Sequence, residues 1–122
     1  MGRIKIKIDK LDRLWGRVIK ARDNFTCQRC GGFYPQGGKG IQAAHVISRR
    51  HANTRHDILN GICLDTGCHL HFHAHPFEFV EFVKEWLGEE KYEELRKRSL
   101  STKKPDREAI LAELQAALER YE

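Results

Sequence analysis

The chain has 122 residues and a mass of 14.2 kDa, the size of one domain, and its 22 Lys and Arg against 17 Asp and Glu give a formal net charge of +5. That length leaves little room for an elaborate multidomain enzyme, and no apolar run approaches the ~20 residues that cross a bilayer, so no membrane partner is expected. Residues 1–60 carry 13 basic and 4 acidic side chains, whereas residues 61–122 carry 9 basic and 13 acidic, which makes the first half the one suited to a polyanion such as nucleic acid.

Met1–Lys10 is basic, with Ile4, Ile6 and Ile8 alternating with Lys5 and Lys7, the pattern of a short half-exposed strand or of a tail that orders on docking. It has no apolar signal core, so a soluble cytoplasmic protein is expected. From Lys10 to about Asp23, Leu11, Leu14, Trp15, Val18 and Ile19 recur at helical spacing, with charges filling the opposite face of an amphipathic helix. Phe25–Gly40 is rich in glycine and reads as a turn-rich knuckle holding Cys27 and Cys30. Ile41–Ile47 reads as a strand containing His45, followed by a basic stretch with Arg49, Arg50, His51, Arg55 and His56, and Gly61–Leu64 reads as a second short strand. Cys68–Ala74 has room for about two helical turns, because Pro76 disfavours helix at His75. Pro76 suits the first turn of the next helix, Phe77–Leu87, which Gly88 closes. Glu89–Arg98 and Asp106–Tyr121 read as further helices, separated by a hinge ahead of Pro105. The last helix carries an apolar seam of Ile110, Leu114, Ala117, Leu118 and Tyr121 that would pack on the domain or on another chain.

All four cysteines fall between positions 27 and 68, and all seven histidines between 45 and 75. In a reducing compartment such cysteines point to metal ligation more than to disulfides. Cys27 and Cys30 form a CxxC pair, and with Cys63 and Cys68 they could close a tetrahedral structural zinc site. The second pair is spaced by four residues where a regular CxxC would place Asp65 first, so Cys63 or Asp65 completes the set. Cys63 is the softer partner for three thiolates and is the favoured choice. The flanking β-α-β pattern that a thioredoxin-type redox motif requires is missing. His69 and His73 lie four apart on the short helix and so share a face, as do His71 and His75 on another, and spacing alone does not choose between these metal-binding pairs.

The order and spacing of His45, Asn60, His69 and His73 resemble the His-Asn-His pattern of the HNH endonucleases, a ββα-metal (His-Me finger) fold. The surrounding text, LWGRVIKARDNFTCQRCG and QAAHVISRRHANTRHDILN, is similar to phage HNH proteins and NinG/Rap recombination nucleases. The similarity runs from Leu11 to Arg98. It implies a small α+β fold with a zinc knuckle and flanking helices. The nuclease domain would span residues 1–98, with a core at 25–76 and helices at 10–23 and 77–98, and residues 99–122 would form a hinge and C-terminal helix. By position, His45 resembles the general base, His69 and His73 the ligands of a catalytic divalent ion (Mg²⁺, Mn²⁺ or Zn²⁺), and Asn60 the residue that braces the loop orienting the base. Cys27, Cys30, Cys63 and Cys68 resemble a separate structural Zn²⁺ set.

One position departs from the pattern: Ala44 stands where the family usually carries a metal-binding Asp or His, and Asp57 is the candidate replacement. Arg49, Arg50 and Arg55, with Lys20 and Arg22, are the candidate phosphate contacts. The expected function is a metal-dependent endonuclease that nicks or cleaves DNA with little sequence specificity, working in a host cytoplasm with phage packaging or recombination proteins. Two rivals stand beside it: a zinc-held nucleic-acid-binding module that does not cut, and an interaction protein that docks a partner through its last helix.

Overall fold

The computed structural model describes residues 8–122. Helix α1 spans Lys10–Arg22, strand β1 Ile41–His45, a 3-10 turn Ile58–Asn60, strand β2 Gly61–Asp65, and helix α2 Thr66–Ala74. Helices α3 (Pro76–Leu87), α4 (Glu89–Ser99) and α5 (Arg107–Tyr121) follow. The alternating segment at Ile4–Ile8 lies outside the described residues except for Ile8, which is exposed and belongs to no strand. Among the described residues no helix is long and apolar enough to cross a membrane.

Helix α1 begins where Asp9 caps it. The Asp9 carboxylate accepts from the Asp12 amide at 3.0 Å and the Asp12 carboxylate accepts from the Asp9 amide at 2.8 Å, a reciprocal capping box. Strands β1 and β2 pair antiparallel, with Ile41 opposite Asp65 and His45 opposite Gly61. Residues 46–60 therefore form one long connection that leaves the sheet beside His45 and returns at the same end. The chain turns directly from β2 into α2, with Asp65 as the N-cap accepting from the Cys68 amide at 2.7 Å. This β1–loop–β2–α2 succession is the ββα arrangement that the resemblance implies.

Two apolar clusters hold these parts. One packs the sheet against α2, α3 and α4 through Ile41, Ala44, Ile62, Leu64, Phe72, Val83 and Leu95. The other packs α1 against α5 through Leu11, Trp15, Val18, Ile19, Leu114 and Ala117. The seam on the last helix thus meets its own chain. With helices on both faces of the sheet, β2 is buried almost throughout, which explains its unbroken apolar run instead of an alternating one. Gly61 is required at the start of β2, because a Cβ there would lie 2.5 Å from Ile19 and 2.8 Å from Trp15.

Candidate metal centres and catalytic cleft

The cysteine cluster forms where the knuckle meets the strand–helix corner. The Cys27 amide donates to the Gly32 carbonyl and the Gly31 amide to the Cys27 carbonyl, with Gly31 at a positive φ of 80°, so the CxxC folds back on itself. Donor atoms of Cys27, Cys30, Cys68 and Asp65 all lie within 4.8 Å of one another. The Cys30 thiol donates to Asp65 Oδ2 at 2.8 Å, while Asp65 Oδ1 caps α2. One carboxylate oxygen thus serves the helix and the other faces the thiols.

The expectation that Cys63 completes this set is corrected by the geometry. Cys63 sits two residues earlier in β2, fully buried in the apolar core and outside the group of four donors. Asp65 takes the place in the sequence of the first cysteine of a second CxxC. Three sulfurs and a carboxylate oxygen fit zinc, and the Arg29 guanidinium, 3.4 Å from Cys68 Sγ, offsets part of the negative charge that such a set gathers.

The second centre is a cleft of about 810 Å³ between α1, the sheet and α2. His45, His69 and His73 all line it, together with Gln42, Trp15, Arg13, Arg17, Lys20 and Arg49. His45, at the end of β1, stacks on Trp15 with ring centroids 4.1 Å apart and planes 10° from parallel. Its Nε2 lies 2.9 Å from the Arg55 carbonyl oxygen. A carbonyl can only accept, so Nε2 carries the proton and the neutral ring keeps its lone pair on Nδ1. Burial lowers the His45 pKa, outweighing the Arg55 carbonyl and Asp12, which act the other way. The ring is therefore neutral at physiological pH.

Asn60 is fully buried and braces the connection. Its Oδ1 accepts from the Ile47 amide at 2.7 Å, and its Nδ2 donates to the carbonyls of Ile47 and Thr54, both at 2.9 Å. On α2, His69 Nδ1 hydrogen-bonds Gln42 Oε1 of β1, which turns His69 Nε2 away as the nitrogen available to a ligand. His73 meets His69 edge-on with centroids 6.3 Å apart. These two imidazoles suit a divalent ion. His45 does not join them in a three-donor group.

Other expected residues fall elsewhere. Asp57 does not enter the cleft: it caps the 3-10 turn, pairs with Arg98 at 2.5 Å, and lines a different cavity with Arg98, Ile110 and Glu113. Its backbone points its side chain toward α4 rather than toward His69. Arg55 is committed to Asp12, its Nε at 2.8 Å and its second guanidinium nitrogen at 2.5 Å, so it is a strut and not a phosphate contact. Arg22 likewise pairs with Asp23 at 2.8 Å and donates to the carbonyls of Ile58 and Gly61, both at 2.7 Å. Of the expected cations, Arg49 and Lys20 line the cleft, while Arg50 is exposed beyond it.

Arg13 and Arg17 were legible only as part of a solvated helix face, yet with Lys20 they form an i, i+4, i+7 row along the cleft wall. Gln42 carried no signal at all, since its role depends on the register that places β1 beside α2. Asp12 likewise carried none. It accepts from Arg55, from His56 at 2.9 Å and from the Asp9 amide. Burial works to raise its pKa, but these hydrogen bonds outweigh it and hold the carboxyl far below the usual range.

The ββα unit thus carries a cysteine knuckle on one side and a histidine-lined basic cleft on the other. A family model described as HNH endonuclease matches residues 27–80, the segment from the knuckle to the start of α3, so this part of the chain is similar to HNH endonucleases. Searches of curated proteins and of solved structures return no match.

Proposed function

We propose that the chain is a divalent-metal-dependent endonuclease that hydrolyses DNA phosphodiester bonds with little sequence preference. The observation that carries this reading is His45: a half-buried, neutral imidazole lining a basic cleft, with Nε2–H held by the Arg55 carbonyl and the lone pair left on Nδ1. At Nδ1 the ring can take a proton from a water as that water's oxygen bonds to phosphorus and the P–O bond to the leaving oxygen breaks. The imidazolium so formed keeps its Nε2–H bond to Arg55, and Asp12, close behind, favours the positive charge. Trp15 fixes the plane of the ring by stacking, and Asn60 fixes the loop that supplies the Arg55 carbonyl.

His69 and His73 would hold the divalent ion, which when bound neutralises charge at the phosphate and stabilises the leaving oxygen. Arg13, Arg17, Lys20 and Arg49 would grip flanking phosphates, contacts that position the strand without reading its bases. Cys27, Cys30, Cys68 and Asp65 would hold a structural zinc that ties the knuckle to the start of α2, the helix carrying His69 and His73. Resemblance to phage HNH and recombination proteins supports a setting in phage DNA processing within a host cytoplasm.

One observation favours the non-cutting module: Ala44 is buried and offers no ligand, and among the described residues no carboxylate joins His69 and His73 in a three-donor group. Incubating supercoiled plasmid with Mg²⁺ or Mn²⁺, with and without chelator, separates the two. Metal-dependent nicking that falls at least a hundredfold in His45→Ala, with DNA binding retained, supports the endonuclease. Retained binding without cleavage of duplex, single-stranded or branched DNA would assign the chain to the module.

A further inference from the structure

His71, His75 and Glu78 lie on the side of α2 that the catalytic reading does not use. His71 and His75 stack with ring centroids 4.3 Å apart and planes 19° from parallel, and His71 Nε2 is 2.9 Å from Glu78 Oε2 in the first turn of α3. One donor atom from each of the three lies within 4.8 Å of the other two. His75 Nδ1 is 2.8 Å from the His71 carbonyl oxygen, so Nδ1 donates there and Nε2 is the nitrogen left for a ligand.

From this geometry we propose that His71, His75 and Glu78 form a separate divalent-cation site, selective for a borderline ion such as Zn²⁺, across the joint between α2 and α3. Zinc holds nitrogen and carboxylate oxygen at about 2.0–2.2 Å, which in a tetrahedron separates donors by about 3.3–3.6 Å. His71 Nε2 and Glu78 Oε2 are 2.9 Å apart and one donor from each residue lies within 4.8 Å of the others, so small rotamer shifts reach that spacing. The ion takes the place of the proton that His71 Nε2 donates to Glu78, the His71 ring keeping its proton on Nδ1, and a water can take the fourth position. Two imidazoles with one carboxylate favour Zn²⁺ over Mg²⁺, which prefers oxygen donors and keeps its waters. Pro76 fixes the joint: it starts α3 immediately after His75, so the spacing between the His pair and Glu78 is set by a rigid residue rather than by a flexible loop. His71 is 31% and Glu78 50% exposed in their side chains, which leaves the site open to exchange with solution and weaker than the cysteine cluster. An ion there would clamp the last turn of α2, the helix whose other face presents His69 and His73 to the cleft.

The site is independent of nuclease activity and is tested without it. In the full-length chain carrying His69→Ala and His73→Ala, zinc per chain is measured by equilibrium dialysis and elemental analysis. The additional pair His71→Ala and His75→Ala is expected to remove one bound zinc, while Co²⁺–thiolate absorption from the cysteine cluster persists. An unchanged zinc count overturns the proposal. Glu78→Gln, at an exposed position that the fold does not depend on, gives a second reading. It is expected to weaken this zinc at least tenfold in competition with a chromophoric chelator, and equal affinity in Glu78→Gln and the parent overturns the site as drawn.

Discussion

At the scale of single residues, Asp12 links α1 to His45, the proposed base, through Arg55. It grips Arg55 with both carboxylate oxygens, and the Arg55 backbone carbonyl in turn holds His45 Nε2. Asp12→Asn keeps the shape of the side chain but removes the charge that the guanidinium and His56 share. Loss of such charge-assisted bonds costs about 2–3 kcal/mol, measurable by urea unfolding. With the carbonyl freed, His45 loses its preference for the Nδ1 lone pair, and plasmid nicking at pH 7 is expected to fall more than stability alone accounts for. The same neighbourhood sets a pH dependence. Burial is the first cause lowering the pKa of both His45 and His56, below the ~6.5 of an unfolded imidazole. As pH falls through 6.5 the unfolded chain takes up protons that the folded chain refuses. Stability therefore drops until the folded pKa values are passed. Thermal unfolding at pH 7.5 and 5.5 checks the sign: the midpoint is expected to be lower at 5.5, and a rise would contradict the downward direction of both shifts.

At the scale of elements, α5 shapes the cleft without entering it. Leu114 and Ala117 are buried against Leu11, Trp15, Val18 and Ile19, so the last helix presses α1, and with it Trp15, onto His45. Leu114→Ala is expected to cost about 2–5 kcal/mol, because it leaves a cavity in a small core. It should also slow cleavage by loosening the Trp15 stack, and a denaturant series with nicking assays measures both. That the C-terminal segment lies beyond the similarity to HNH proteins gave no hint of this. The seam on α5 showed that some partner was needed, while only the packing showed that the partner is α1.

At the scale of the whole molecule, the basic excess of the first half collapses to a narrower surface than the sequence suggested. Arg22 and Arg55 are spent on internal struts, and Arg13, Lys20 and Arg49 remain along the cleft with Arg17, which also pairs with Glu122 at 3.3 Å on the surface. DNA binding through these contacts should weaken steeply with salt. Replacing Arg13 or Lys20 with Ala is expected to reduce the slope of log K against log [salt] by about one, equally for unrelated DNA sequences. A change that depended on sequence would instead point to base contacts.

Local signals were strong enough to be read without a structure: the helical periodicity of α1, the proline that starts α3, the glycine that ends it, and the two strands around the basic loop. His45, Asn60, His69 and His73 stood out by an order and spacing that resemble the HNH pattern, and the roles proposed for them rest on that resemblance. Four things required the third dimension. Cys63 and Asp65 share a strand, and only the position of the knuckle decided that Asp65 meets the thiols. His69–His73 and His71–His75 have identical spacing, and only the sheet beside one face of α2 decided which pair enters the cleft. Asp57 and Arg55 looked available for metal and phosphate until Arg98 and Asp12 were found across from them. The physical reason is common to all four: covalent spacing determines which residues can share a face, but which face becomes a site depends on the charges and surfaces that distant segments bring to it.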